Sequence, residues 1–186
     1  PFANCNLITS LSRSALALTQ KGWPRAVSFG TGVPKVFERP HDFFIANLYP
    51  ELQFLRAGHR ALLDNTFQAS AQSKGRDRFG CKFVRLGLEE ATYLQWIYPD
   101  AKFVFLVRNP WDCWRSYKGC NWMYRWPKQN VTKVDQFAKI WMMQTQGLLQ
   151  FSGARHRWLR YEDFLSERFD WDEFREFCEL PAISKE

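Results

Sequence analysis

The run Phe103-Val104-Phe105-Leu106-Val107, followed at once by Arg108-Asn109-Pro110, restricts the fold of this chain more than any other segment. An unbroken apolar run rich in Val and Phe belongs to a central parallel strand covered on both faces. Asn109 is a good helix N-cap and Pro110 suits the first helical position, so a helix is expected from there to about Lys118, ending near Gly119. Ahead of the run, Lys82–Leu86 alternates and suits a strand, while Glu89–Tyr98 suits a helix stopped by Pro99. Strand, helix, strand, helix in that order implies a right-handed β-α-β unit and the α/β class.

The flanking segments are read by the same rules. Leu7–Thr19 suits a short helix with Leu7, Leu11, Ala15 and Leu18 on one face. Lys21–Pro40 is punctuated by Gly and Pro and reads as loop, with one short strand at about Ala26–Phe29. Phe43–Phe67 has near-helical apolar spacing with a break at Pro50, and the polar Gln68–Phe79 reads as a loop. A long helix is expected from Thr132, with Asp135 completing a variant capping box and Gly153 ending it. Its expected buried stripe is Val134, Phe137, Ala138, Trp141, Thr145, Leu148 and Leu149. Arg157–Tyr161 reads as a strand. A last helix is capped by Asp170, with Glu173 three residues on, a Phe169–Phe174 staple, and Pro181 as its stop. With 186 residues and no repeat, 1–186 is expected to form a single domain. Pro1-Phe2-Ala3 shows neither an initiator Met nor a signal-peptide pattern, so a fragment or a chain truncated at one or both ends is expected.

The net charge of +7 favours an anionic partner such as a nucleotide, nucleic acid, acidic glycan or membrane surface. The charge is local. Arg108, Arg115, Lys118, Arg125 and Lys128 face only Asp112 in their segment, whereas the chain after Glu162 is acidic. Nine Trp, 17 Phe and 6 Tyr supply a bulky core and leave rings to stack on a flat ligand. The five cysteines follow no zinc or redox spacing and are expected as free thiols. No stretch approaches the ~20 apolar residues of a membrane span. One Asn130-Val131-Thr132 sequon does not decide the compartment, for which the cytoplasm is favoured over the Golgi lumen.

Ligands of open α/β sheets bind beyond the carboxyl ends of the strands. Arg108 lies at such an end, with a planar fork that fits phosphate oxygens. The helix starting at Asn109 is expected to present free N–H groups and its positive dipole end there. Helical spacing puts Asn109, Asp112, Cys113, Ser116 and Cys120 on one face; if that face borders the crevice, the Ser116 hydroxyl can hydrogen-bond a phosphate paired with Arg108. The competing reading is a salt-bridged strand-end Arg108 and a surface Ser116.

The string from Lys102 to Lys118 resembles the 3′-phosphate-binding motif of sulfotransferases that use 3′-phosphoadenylyl sulfate (PAPS) as donor. In that family a strand ends in Arg, followed by Asn or Asp, Pro and an Asp, with Ser eight residues after the Arg. Arg108 and Ser116 match, and the resemblance implies that they bind the donor's 3′-phosphate. Lys82–Leu86 and Tyr93–Asp100 are similar to the preceding strand and helix. Arg160-Tyr161-Glu162-Asp163-Phe164 is similar to the family's Tyr-Glu-Asp-Leu segment, whose Tyr lies near the adenine in some members, with a strand-end core tyrosine as the alternative for Tyr161. The resemblance covers roughly residues 80–180. It implies a P-loop-like three-layer αβα fold with a mostly parallel sheet, here incomplete, and no required metal. It also implies transfer of a sulfuryl group from PAPS, leaving adenosine 3′,5′-bisphosphate, to a hydroxyl or amine of a glycan, lipid or small molecule.

Two family features are not matched. No intact phosphosulfate loop is present: Ser12-Arg13-Ser14-Ala15-Leu16 is the nearest string, and Gly30–Lys35 reads as an ordinary turn in which Pro34 removes a donor. The resemblance places the catalytic base near Glu38 and His41, with a surface Glu and a loop His as the alternatives; His59 and His156 are less favoured. Two other functions stay open. One is a degenerate relative that binds adenosine 3′,5′-bisphosphate without catalysis. The other is a nucleic-acid binder that stacks bases on Trp111, Trp114, Trp122, Tyr124 and Trp126, against which regular helical spacing argues for core packing.

Overall fold

Helix α1 (Phe2–Leu16) buries Ile8, Ser12 and Ala15, three positions that helical spacing places on one face, with Leu7 and Leu11 beside them. The computed structural model describes residues 2–16, 52–84, 86–119, 131–167 and 169–181. The expected strand at Ala26–Phe29, Leu18 and the break at Pro50 lie outside these. The chain divides into two units, Pro1–Ala101 and Lys102–Glu186.

In the first unit α1 is joined by α2 (Leu52–Leu63), a π-helical stretch (Asp64–Gln68), α3 (Ala69–Gln72) and α4 (Leu88–Ile97). Its core is Ile8, Ala15, Leu63, Tyr93 and Ile97, with Phe67, Leu94 and Trp96 packed around them. Each fully buried large side chain contributes about 1.5–3 kcal/mol. The polar groups in this core are matched. Ser12 Oγ lies 3.1 Å from Thr9 O and 3.3 Å from Glu89 Oε1, and Thr9 Oγ1 donates to Glu90 Oε1 at 3.0 Å. The Glu90 carboxylate also accepts from the Gly87 N–H at 3.0 Å, which closes the start of α4. Tyr98 Oη donates to Asp64 at 2.7 Å, and Arg60 lies 3.5 Å from the same carboxylate.

Two expectations fail in this unit. Gln68–Phe79 is not all loop. Helical structure runs through Gln72, because Ala and Gln are good helix formers and polarity alone does not separate a loop from an exposed helix. The segment then turns at Gly75, whose φ of +68° is left-handed and suits glycine. Lys82–Leu86 is not a strand either. Among the described residues of this unit there is no strand to pair with, and Phe83 and Leu86 both pack on the helical core. A spacing of three cannot be met by alternation.

His59 Nδ1 lies 2.8 Å from the hydroxyl of Tyr93, which is fully buried. Burial lowers the imidazole pKa from its ordinary 6.5. The folded state therefore prefers neutral His59, while the unfolded chain takes up a proton below about 6.5. Stability from this group is complete above that pH and is lost as the pH falls towards the lowered folded value. The thermal midpoint is expected to drop between pH 7.5 and 5.5, by less in His59→Gln; equal slopes in calorimetric scans of both proteins would refute this.

The second unit holds the sheet. Strands β1 (Phe103–Val107) and β2 (His156–Arg160) pair in parallel, with Phe103 opposite His156 and Val107 opposite Arg160. The crossover carries α5 (Pro110–Lys118) and α6 (Val134–Leu149). The chain is thus α/β with a small parallel sheet, compatible with an incomplete αβα sandwich. The β-α-β unit is built on these two strands rather than on Lys82–Leu86. Phe105 is buried against Phe151 and Trp158, whereas Val104 and Leu106 are 39% and 54% exposed. Among the described residues of this unit, the aromatic cover of β1 lies on the Phe105 face.

Trp114, Tyr117, Val131, Ile140 and Phe137 form the core between α5 and α6. The start of α6 is one residue later than a Thr132 cap requires. Gln136 rather than Asp135 does the capping, its Oε1 accepting from the Thr132 and Lys133 N–H groups at 3.1 and 3.2 Å. The helix ends at Leu149, ahead of Gly153, and Val134 and Leu149 are exposed instead of buried. After β2 come α7 (Tyr161–Phe164) and α8 (Trp171–Cys178). Asp170 Oδ1 accepts from Glu173 N at 2.8 Å, and the Phe169 and Phe174 rings lie 5.8 Å apart, as the sequence predicts. Among the described residues no helix is long and apolar enough to cross a membrane.

Candidate anion-binding site

The in-register pairing of β1 and β2 brings the residues that follow them to the same end of the sheet. Arg108 comes directly after Val107, and Tyr161 directly after its partner Arg160. The Arg108 guanidinium carbon sits 4.7 Å from the centre of the Tyr161 ring, a cation–π contact. Arg108 Nε is buried and, among the described residues, has no hydrogen-bond partner. Leaving a charged donor unmatched costs more than the ~1–3 kcal/mol typical of a neutral group. An anionic oxygen is the acceptor such a group suits. The competing reading of a salt-bridged Arg108 finds no partner: among the described residues no carboxylate pairs with it.

The backbone beside Arg108 differs from expectation. Asn109 caps α5, its Oδ1 accepting from Trp111 N at 2.9 Å. Pro110 has no N–H. The Asn109 N–H donates to Glu162 Oε1 at 2.8 Å. The Asn109 and Trp111 amides, expected to be free at this helix end, are thus taken by side chains. Cys113 donates its N–H to Asn109 O at 3.0 Å, and its Sγ lies 3.8 Å from Arg108 O. Burial, only partly offset by Arg108, raises the Cys113 pKa and keeps it a thiol. Arg115 is paired with Asp112.

The other sequence candidates fall as follows. Ser116 is exposed on α5 and makes no hydrogen bond to Arg108 or Tyr161. Tyr161 is partly buried and its ring meets the Arg108 guanidinium. Glu38, His41 and Gly30–Lys35 lie outside the described residues, as do Cys120, Trp122, Tyr124 and Trp126. Ser12–Leu16 is helical, with Ser12 fully buried and its hydroxyl engaged, so it forms no anion-cradling loop. His59 belongs to the first unit and is bonded to Tyr93. His156 pairs with Phe103, at the end of the strands opposite Arg108 and about 15 Å along the ladder. Trp114 and Tyr117 are core, which removes Trp114 from any base-stacking surface, whereas Trp111 is 63% exposed.

Sequence reasoning missed the Arg108–Tyr161 stack and the role of Glu162. The signal for both was present, in that Tyr161 and Glu162 directly follow a second strand.

A model described as the sulfotransferase family matches residues 16–180 of the chain. No curated protein and no solved structure matches it.

Proposed function

The chain belongs to the sulfotransferase family, and on that premise we propose that it takes the sulfuryl group from PAPS and passes it to a hydroxyl or amine of a glycan, lipid or small-molecule acceptor. The buried, unpartnered Arg108 Nε at the carboxyl end of a parallel strand carries this reading. Arg108 pairs with the 3′-phosphate, and its missing acceptor is supplied by a phosphate oxygen. Tyr161 holds the guanidinium on its ring, and Ser116 adds a hydroxyl to the same phosphate.

Bound there, PAPS supplies an activated sulfuryl group. Its bond to the 5′-phosphate oxygen breaks as the acceptor oxygen or nitrogen bonds to sulfur. Glu38 or His41 takes the acceptor's proton, and protein cations and N–H groups bear the charge left on the departing phosphate. Residues 1–186 act in this reading as part of one sulfotransferase-like domain.

Calorimetric titration with adenosine 3′,5′-bisphosphate and with adenosine 5′-monophosphate tests the reading. The bisphosphate is expected to bind about 100-fold more tightly, near the upper value of one added charged contact. Equal affinities would sink the donor site. A preference without transfer of radiolabelled sulfate from PAPS to any acceptor would leave a nucleotide-binding relative without catalysis.

A further inference from the structure

Two consecutive residues after β2 hold two consecutive residues after β1. Tyr161 supports the Arg108 side chain, and Glu162 accepts the backbone N–H of Asn109 at 2.8 Å. We propose that Glu162 is a positioning residue that sets the Arg108 turn for the 3′-phosphate, acting through the Asn109 amide. The assignment rests on the donor-site reading of Arg108.

Three observations carry it. Asn109 is the hinge of this turn, because its side chain caps α5 while its N–H is the first backbone donor after Arg108. Without an acceptor, that N–H would leave the turn tied to the segment after β2 only through the Arg108–Tyr161 stack. Second, Glu162 is partly buried, and the Asn109 N–H, ahead of the nearby Arg160, holds its carboxyl below the usual range, so it stays ionised and a strong acceptor at neutral pH. Third, the contact spans two segments more than fifty residues apart, joined otherwise at this end by the strand ladder and the Arg108–Tyr161 stack. A carboxylate beside a phosphate site opposes the anion electrostatically. Its presence is accounted for if the geometry it imposes on Arg108 outweighs that repulsion. A glutamine keeps the acceptor and removes the charge; an alanine removes both.

The experiment compares wild type, Glu162→Ala and Glu162→Gln by calorimetry with adenosine 3′,5′-bisphosphate and adenosine 5′-monophosphate, after circular dichroism has shown that each variant is folded. Glu162→Ala is expected to weaken the bisphosphate about tenfold and the monophosphate little, the scale of one hydrogen bond to a charged group. Glu162→Gln is expected to keep the wild-type ratio within about threefold, since the acceptor remains. Amide exchange at Asn109 is expected to rise in Glu162→Ala only. A wild-type preference that survives Glu162→Ala, or one lost equally in Glu162→Gln, overturns the assignment alone. No preference in the wild type overturns the donor site and this assignment with it.

Discussion

Arg108→Ala is expected to lower the affinity for adenosine 3′,5′-bisphosphate by about 100-fold while leaving the affinity for adenosine 5′-monophosphate nearly unchanged. A hydrogen bond involving a charged group contributes about 1.5–3 kcal/mol, and 100-fold corresponds to about 2.7 kcal/mol. The loss should not come from unfolding. Arg108 has no ion-pair partner among the described residues, and its contact with the Tyr161 ring accounts for about 0.5–1 kcal/mol of stability. Arg108→Lys keeps the charge without the planar fork and is expected to recover only part of the binding. An Arg108→Ala protein that still distinguishes the two nucleotides would remove Arg108 from the site.

The second large effect concerns the helical unit. Tyr93→Ala is expected to destabilise it by about 3–5 kcal/mol, the cost of truncating a fully buried aromatic ring. Tyr93 lies in the same core as Ile8, Leu63 and Ile97, with Trp96 and His59 against its ring. Tyr93→Phe keeps the ring and removes only the hydroxyl that meets His59, so a loss of about 1 kcal/mol is expected. Urea unfolding followed by hydrogen exchange of α1, α2 and α4 measures both. A Tyr93→Ala loss near that of Tyr93→Phe would mean that the ring is not part of a close-packed core.

The parts of the fold that were legible in the sequence are those set by local signals. The apolar run of β1, the Asn109–Pro110 helix start and the Asp170–Glu173 cap each depend on residues a few positions apart, and each is present. The misreadings share one cause, competition from distant partners. Lys82–Leu86 has strand-like alternation, but the neighbours it meets are helices. Ser12 resembles a loop hydroxyl until Glu89, far along the chain, accepts from it inside the core. Asp135 and Gln136 were both adequate caps, and only the geometry of α6 chose Gln136. At the candidate site the motif around Arg108 could be read locally. Whether the Asn109 amide was available could not, because Glu162, far along the chain, accepts from it.

The parallel register of β1 with β2 has a consequence for how such a site tolerates change. Arg108 and Tyr161 meet because five successive residue pairs, Phe103–His156 to Val107–Arg160, fix where each strand stops. The crossover joins that alignment at its two ends, where Arg155 O accepts from the Phe103 N–H at 2.9 Å and the Asn109 N–H donates to Glu162. Lengthening, shortening or replacing its outer loops leaves the meeting point where it is, provided the two strands keep step. A slip of one residue, by contrast, turns every side chain of the slipped strand to the opposite face and moves its end by about 3.3 Å. Sequence drift in this half of the molecule is thus permitted by length and forbidden by parity. A deletion of one residue within β2 should do more harm to the Arg108 contact than the loss of several from the connection that precedes it.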